Sequence, residues 1–410
     1  MDPERIVIVG TGQAGGWAAK TLRDEGFAGR IIAGGEELHT PYERPPLSKA
    51  VLAGKAAPDT TRIFKDELWR GLAVDWLPGR RAVALDRAAK SIRLDDGAEI
   101  RYDRLLLATG GRARTLTLAT PAGGSIHTLR TLDDALALGR ILPSCHRLLI
   151  IGAGWIGLEV AATARQSGVA VHVVEAQSSV CARALPAEIA PRLQSLHQRH
   201  GVTFSLEVTV ARIEAVPAGG MRAWLGDGTA VDADCIVAGL GMIANDTLAQ
   251  DAGIACANGI MVDVRCVTSD PHVFAAGDVA LAPNRWADGT IRLESWQNAQ
   301  DQGIAAARSM LGRDVSYDPV PRFWSDQYDT HIQIVGLAQP AHRIAIREGS
   351  DANHFIAFAL DGNRVRAAIG VNAGRDMRPA RALVEHAVIV DPARLVDAGI
   401  DLKNVGAGIT

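Results

Sequence analysis

Gly10-Thr11-Gly12-Gln13-Ala14-Gly15, set directly behind the apolar run Arg5-Ile6-Val7-Ile8-Val9, is the stretch that decides the fold. The arrangement recurs as Gly152-Ala153-Gly154-Trp155-Ile156-Gly157 behind Leu148-Leu149-Ile150-Ile151. Each run sits where a buried strand should turn into a helix. In that setting the first Gly permits the tight turn, the second lets backbone approach a pyrophosphate, and the third lets helix close on strand. Backbone N–H groups at the helix start then face the anion. Two such turns in one chain point to two bound dinucleotides, and hence to electron transfer between them.

Working outward, each turn opens a similar unit. The first reads strand, turn, helix, strand, with strands at Ile6–Val9 and Arg30–Gly34 and an amphipathic stretch near Trp17–Glu25. A loop rich in proline (Pro41, Pro45, Pro46) follows and reads as irregular. Short alternating segments around an Asp95-Asp96-Gly97 turn lead to a return strand, Leu105–Leu107, ending in Ala108-Thr109-Gly110. The second unit repeats this order, with Val171–Val174, a Gly226-Asp227-Gly228 turn, and a return strand that runs out at Gly239-Leu240-Gly241. From about residue 320 there is no third turn of this type, so the tail reads as a separate α+β domain. The expected fold is α/β, with two Rossmann-like dinucleotide-binding domains. The expected boundaries are 1–112 with 245–318, 113–244, and 319–410.

Composition narrows the class. The chain has 410 residues, 48% hydrophobic and 22% charged, ample for several cores. Its 43 basic and 46 acidic residues leave a formal charge of −3, so charge implies neither a nucleic-acid nor a membrane-surface partner. No apolar stretch approaches membrane-spanning length, and Met1 leads almost at once into the first strand. A cytoplasmic protein, monomer or homodimer, is expected. The five cysteines (Cys145, Cys181, Cys235, Cys256, Cys266) are dispersed with no close pair, so neither a redox-active disulfide nor a metal site is expected; the 11 histidines read as structural.

An acidic residue closing the second strand of such a unit commonly hydrogen-bonds the adenosine ribose. Glu36 and Glu175 occupy those positions. A carboxylate there repels a 2′-phosphate, so Glu175 implies NADH rather than NADPH. Gly277-Asp278, closing the segment Ser269–Asp278, places an Asp where it could accept from a ribityl hydroxyl or cap a helix.

Taken together, GTGQAG, RPPLSK, LLLATG, LRTLDDA, GAGWIGLEVAA, SDPHVFAAGD, ESWQNA and FWSDQY resemble the FAD-dependent ferredoxin reductases of bacterial oxygenase systems. This is the putidaredoxin reductase and aromatic-ring dioxygenase reductase type, with a glutathione-reductase-like fold. The resemblance runs from about residue 5 to about 335 and weakens beyond. It implies FAD contacts from Gly10, Gly12, Ala14, Gly15, Glu36, Arg44, Lys49, Val83, Ala108, Thr109, Gly110, Arg130, Asp278 and Trp296, with Trp324 on the C-terminal side. It implies NADH contacts from Gly152, Gly154, Ile156, Gly157, Glu159, Glu175 and Gly241. Lys49 and Glu159 become the mechanistic pair: Lys49 would stabilise negative charge arriving with hydride, and Glu159 would hold that Lys or orient the carboxamide. Without the resemblance, Glu159 reads as a surface residue compensating a helix dipole.

The implied activity is NADH-dependent reduction of a 2Fe–2S ferredoxin, Rieske-type or serving a cytochrome P-450, with the dioxygenase system favoured. Such ferredoxins are acidic, which makes Arg313, Arg322, Arg375, Arg378 and Arg381 candidates for a basic rim. The alternatives are a rubredoxin reductase, a flavin NADH oxidase, or a redox-sensing NADH-binding protein like apoptosis-inducing factor. An oxidase using a cysteine sulfenate is disfavoured, because no Cys lies near residues 42–49.

Overall fold

The computed structural model describes residues 3–119, 126–217 and 219–406. They divide into two compact units, one of residues 1–44, 58–112 and 242–319, the other of residues 45–57, 113–241 and 320–410.

The first unit is built on a five-stranded parallel sheet in the order Val273–Ala275, Arg104–Leu107, Arg5–Val9, Arg30–Gly35, Val74–Pro78. Its central strands are continuously apolar because both faces are covered. Leu105, Leu106 and Leu107 are fully buried, and burial of each such side chain contributes roughly 1.5–3 kcal/mol. The helix Gln13–Asp24 leaves the glycine turn and packs on the helix Trp296–Met310. Gly303 permits that approach, since a Cβ there would lie 2.4 Å from the Ala14 carbonyl oxygen. A small antiparallel sheet (Ala82–Asp86, Ser91–Leu94, Glu99–Arg101) forms the excursion between strands.

The second unit repeats the plan. Its parallel sheet runs Ile126–His127, Cys235–Ala238, Arg147–Ile151, Ala170–Val174, Thr203–Ser205. The helix Trp155–Gln166 follows the turn, and Val210–Ala215, Met221–Leu225 and Ala230–Ala233 form its antiparallel excursion. The same unit contains a five-stranded antiparallel sheet in the order Arg322–Gln327, Thr330–Gly336, Arg364–Val371, Phe355–Asp361, Arg343–Glu348, with the helix Gly374–Glu385 packed on it through Met377 and Val384.

Two local features differ from the sequence expectation. The proline-rich loop is not wholly irregular: Pro45–Ser48 forms a single 3-10 turn. Both prolines occupy its first positions, where a missing N–H costs nothing and φ is already set. The segment 45–57 packs within the second unit although it interrupts the first in sequence. Leu47, Val51 and Leu52 are its buried anchors, and Gly139 of the helix Leu132–Ile141 lies against Leu52.

Candidate functional site

The two glycine turns are built alike, atom for atom. Gly10 has φ +103°, and a Cβ there would stand 2.2 Å from the Ala108 carbonyl oxygen. Gly152 has φ +105°, and its Cβ would stand 2.4 Å from the Gly239 carbonyl oxygen. Only glycine tolerates both that φ and that crossing. Gly15 and Gly157 close helix on strand: their Cβ atoms would meet the carbonyl oxygens of Gly10 at 2.0 Å and Gly152 at 2.2 Å. Gly12 and Gly154, the helix N-caps, behave differently: nothing lies within 4 Å of a Cβ placed on either. Neither helix receives a side-chain cap, so first-turn N–H groups stay available to an anion.

In the first unit, the return strand Arg104–Leu107 is followed by Ala108, whose N–H donates to Val9 O at 2.8 Å. Thr109 and Asn245 then lock together, Thr109 Oγ1 donating to Asn245 O at 2.7 Å and Asn245 Nδ2 to Thr109 O at 3.0 Å. Gly110 follows at φ +59°. Ala14 is buried on the first helix, where its Cβ faces Gly277, and Val83 is exposed on the excursion sheet. Glu36 is 68% exposed, with the Arg81 Nε 3.8 Å from its Oε1. Its neighbour Glu37 is the engaged carboxylate, accepting from Tyr42 Oη and from Arg44 Nη2, the latter at 2.7 Å. Burial alone would lower the Arg44 guanidinium, but the charges of Tyr42, Glu37 and Asp278 outweigh it and hold it above its ordinary value. Arg44 and Asp278 therefore share one electrostatic neighbourhood. Trp296 is the first residue of its helix, and it acts on the Glu43 carboxyl, which burial pushes up against the opposing influence of that indole.

In the second unit, Glu159 is the fifth residue of the helix Trp155–Gln166 and only 4% exposed. The expectation from the residue alone, a dipole-compensating surface group, is thereby corrected. The helix faces other protein at this position. Lys49 Nζ lies 2.7 Å from Glu159 Oε2 and also donates to Pro45 O at 3.1 Å. Ser48 Oγ donates to the same carboxylate oxygen, and Ser325 Oγ donates to Glu159 Oε1 at 2.6 Å. Thr163, one turn on, donates to Ser48 O at 2.7 Å and ties the Lys49 segment to the helix. Ser48 and Ser325 lie inside the RPPLSK and FWSDQY motifs, but as small hydroxyls on separate segments neither is singled out there as a partner of Glu159.

Glu175 turns inward to the second glycine turn. Its Oε2 accepts from Ala153 N at 2.7 Å and its Oε1 from Gln177 N at 2.8 Å. Gly241 has φ +88°, with the Arg183 guanidinium 3.1 Å from where its Cβ would be. Arg183 is a cation at this turn that sequence reasoning missed. Ile156 is exposed at the helix start, and Trp155 packs on Phe323 with ring centroids 4.9 Å apart; Trp324 follows on the same strand. Arg130 precedes the capping box of the helix Leu132–Ile141, its N–H donating to Asp134 Oδ2 at 2.9 Å. Of the arginines considered for a basic rim, Arg313 stands 3.6 Å from Glu25 and Arg381 2.5 Å from Glu385.

All five cysteines are free. Burial pushes Cys235 and Cys266 up to about 12 and Cys256 to about 11, and it raises Cys145 and Cys181 as well. Such thiols supply no thiolate near neutral pH. Among the described residues no cluster could hold a metal ion, and no helix is long and apolar enough to cross a membrane.

The chain matches the family described as pyridine nucleotide-disulphide oxidoreductase over residues 4–303, and a reductase C-terminal domain over residues 322–406. It is 37% identical to rhodocoxin reductase of Rhodococcus erythropolis over 398 residues, covering 97% of this chain and 93% of that protein. It is 38% identical to the anthranilate 1,2-dioxygenase system ferredoxin–NAD(+) reductase component of Burkholderia cepacia over 405 residues, covering 98% and 99%. The putidaredoxin reductase in its covalent complex with putidaredoxin superposes with a TM-score of 0.94 at 34% identity, covering 99% of this chain and 98% of that one. The chain belongs to the pyridine nucleotide-disulphide oxidoreductase family, in the branch of ferredoxin–NAD(+) reductases that carry the reductase C-terminal domain.

Proposed function

We propose that this chain is a cytoplasmic NADH-dependent ferredoxin reductase that holds FAD at the Gly10 turn and receives NADH at the Gly152 turn. Residues 1–112 and 245–318 form the FAD domain in this reading, 113–244 the NAD domain, and 319–410 the C-terminal domain. The observation that carries it is the duplicated turn with its open second glycine. At Gly12 and Gly154 a Cβ would meet no protein atom, so glycine there serves something other than the chain's own packing. Beside the first turn, Gln13 keeps both side-chain amide atoms buried without a hydrogen-bond partner among the described residues. Polar capacity of this kind suits a dinucleotide held along the helix start.

Bound FAD supplies the conversion of a two-electron hydride donor into the single-electron steps an iron–sulfur partner accepts. The chain contributes placement and charge. Lys49 presents a cation where negative charge accumulates on reduction, and Glu159 fixes the position of that cation. Arg44, held by Glu37, and Asp278 contribute to FAD binding. Glu175, drawn against Ala153, disfavours the 2′-phosphate of NADPH. Direct hydride transfer requires no general base.

The electron acceptor is a 2Fe–2S ferredoxin, and we read it as one feeding an aromatic-ring-hydroxylating dioxygenase. Supporting this are the dioxygenase-system relative, matched over nearly its whole length, and the FWSDQY strand. A ferredoxin of a cytochrome P-450 system is the second reading, favoured by the match to putidaredoxin reductase. The test is kcat/KM of the purified holoenzyme for Rieske-type and P-450-type 2Fe–2S ferredoxins. At least tenfold preference for the Rieske type is expected, and the reverse preference selects the second reading.

A further inference from the structure

Behind the Lys49–Glu159 pair, a line of buried polar side chains runs through the second unit. Ser325 Oγ lies 2.6 Å from Glu159 Oε1, and Gln327 Nε2 lies 3.0 Å from Ser325 Oγ. His197 Nε2 lies 2.7 Å from Gln327 Oε1, and Tyr328 Oη lies 3.2 Å from His197 Nδ1. Ser325, Gln327 and His197 are at most 1% exposed. They sit on the strand Arg322–Gln327 and the helix Ala190–Arg199, and buried polar groups are costly unless paired.

The proton positions follow without free choice. A carboxylate only accepts, so the single Ser325 hydroxyl proton must point to Glu159. Ser325 Oγ must then accept from Gln327, which turns the amide nitrogen toward Ser325 and the amide oxygen toward His197. That oxygen requires an N–H on His197 Nε2. Burial disfavours the charged imidazole, lowering His197 to about 4 against the opposing hydrogen bond from Gln327, so Nδ1 is bare and accepts from the Tyr328 hydroxyl. Every donor in the line points toward Glu159.

The far end is also held in place. Tyr328 has φ +59°, the left-handed region that a bulky residue rarely adopts. Its ring stacks on His200 with centroids 3.6 Å apart at 9°, and it meets His197 edge-on at 5.2 Å. Arg165 is a charged group that acts on the Tyr328 hydroxyl, opposing the rise that burial causes. Backbone strain is accepted here in a geometry that aims the hydroxyl at His197.

We propose that Tyr328, His197, Gln327 and Ser325 form a one-way hydrogen-bond chain that sets the orientation of the Glu159 carboxylate and, through it, of Lys49. They are positioning residues. In the opposite His197 tautomer the Gln327 amide would turn over, Ser325 would donate to Gln327, and Glu159 would lose a donor. The proposal rests on the Proposed function only for its kinetic consequence; the chain itself is tested without it.

The test uses the FAD-loaded protein labelled with 15N-histidine, read by long-range 1H–15N correlation NMR near neutral pH, with His197 assigned by its loss in His197→Phe. A neutral imidazole protonated on Nε2 is expected. An Nδ1-protonated or charged ring overturns the chain. In stopped flow with NADH, Ser325→Ala should lower the limiting rate of flavin reduction about tenfold, the equivalent of one hydrogen bond. Gln327→Met should lower it severalfold, and in both variants the NADH concentration for half-maximal rate should stay unchanged. A wild-type limiting rate in Gln327→Met overturns the proposal, because the chain would then end at Ser325. If a variant loses its fold, the tautomer in the unaltered protein decides alone. Failure of NADH to reduce the unaltered protein defeats the functional reading and leaves the NMR result to judge the chain.

Discussion

Lys49 Nζ and Glu159 Oε2 stand 2.7 Å apart, with the Lys side chain 22% exposed and the Glu 4%. One partner reaches solvent while the other is enclosed and fixed by two serine hydroxyls. That asymmetry separates the effects of removing each residue. Lys49→Ala leaves a carboxylate with hydroxyl donors still in place, so the protein should fold and keep FAD. Its NADH-driven flavin reduction should slow by about ten- to a hundredfold in stopped flow. A normal rate removes Lys49 from the mechanism.

The glycine turns separate folding from binding. Gly10→Ala forces a Cβ to within 2.2 Å of a backbone oxygen at φ +103°, which should cost more than about 2 kcal/mol and lower the thermal midpoint of the apoprotein. Gly12→Ala meets no protein atom. It should leave apoprotein stability within about 0.5 kcal/mol while weakening FAD retention at least tenfold, measured by dialysis and flavin absorbance. Unchanged FAD affinity in Gly12→Ala would mean the first turn is not the FAD site.

Glu175 bears on coenzyme choice. Glu175→Ala removes the carboxylate held against Ala153 and should reduce the NADH over NADPH preference in kcat/KM by roughly tenfold, about 1.4 kcal/mol. An unchanged ratio would assign Glu175 to bracing the turn alone.

Buried His197 makes stability sensitive to acid. Its folded value, about 4, lies below the ordinary 6.5, so between these values the unfolded chain binds a proton that the folded one refuses. Stability is full above pH 6.5 and falls as pH drops toward 4, by on the order of 3 kcal/mol in total. His127 and His172 are lowered as well, again by burial. His197→Phe should therefore narrow, without abolishing, the drop in thermal midpoint between neutral pH and pH 5. An equal drop in variant and wild type would show that His197 is solvated.

Much of this was legible in the sequence, because the deciding signals are local. Gly10, Gly12 and Gly15 sit within one turn behind an unbroken apolar strand, and the same spacing at Gly152 announces a second copy. Glu175 and Gly241 fall where that copy leads one to look. The surroundings of Glu159 were not legible. Ser48 and Ser325 reach it from 111 and 166 residues away, on segments whose approach depends on packing rather than on periodicity. Nor does any local pattern mark His197 or place Pro45–Ala57 in the second unit. Leu47, Val51 and Leu52 only look like anchors once the surface that buries them is known.

The most direct measurement is NADH-driven cytochrome c reduction by the purified yellow protein, with and without an added 2Fe–2S ferredoxin, alongside oxygen uptake. Reduction should rise at least a hundredfold with ferredoxin while oxygen uptake stays slow. Rapid oxygen uptake, or cytochrome c reduction indifferent to ferredoxin, would contradict a ferredoxin reductase and point to an oxidase or a slow NADH-sensing flavoprotein.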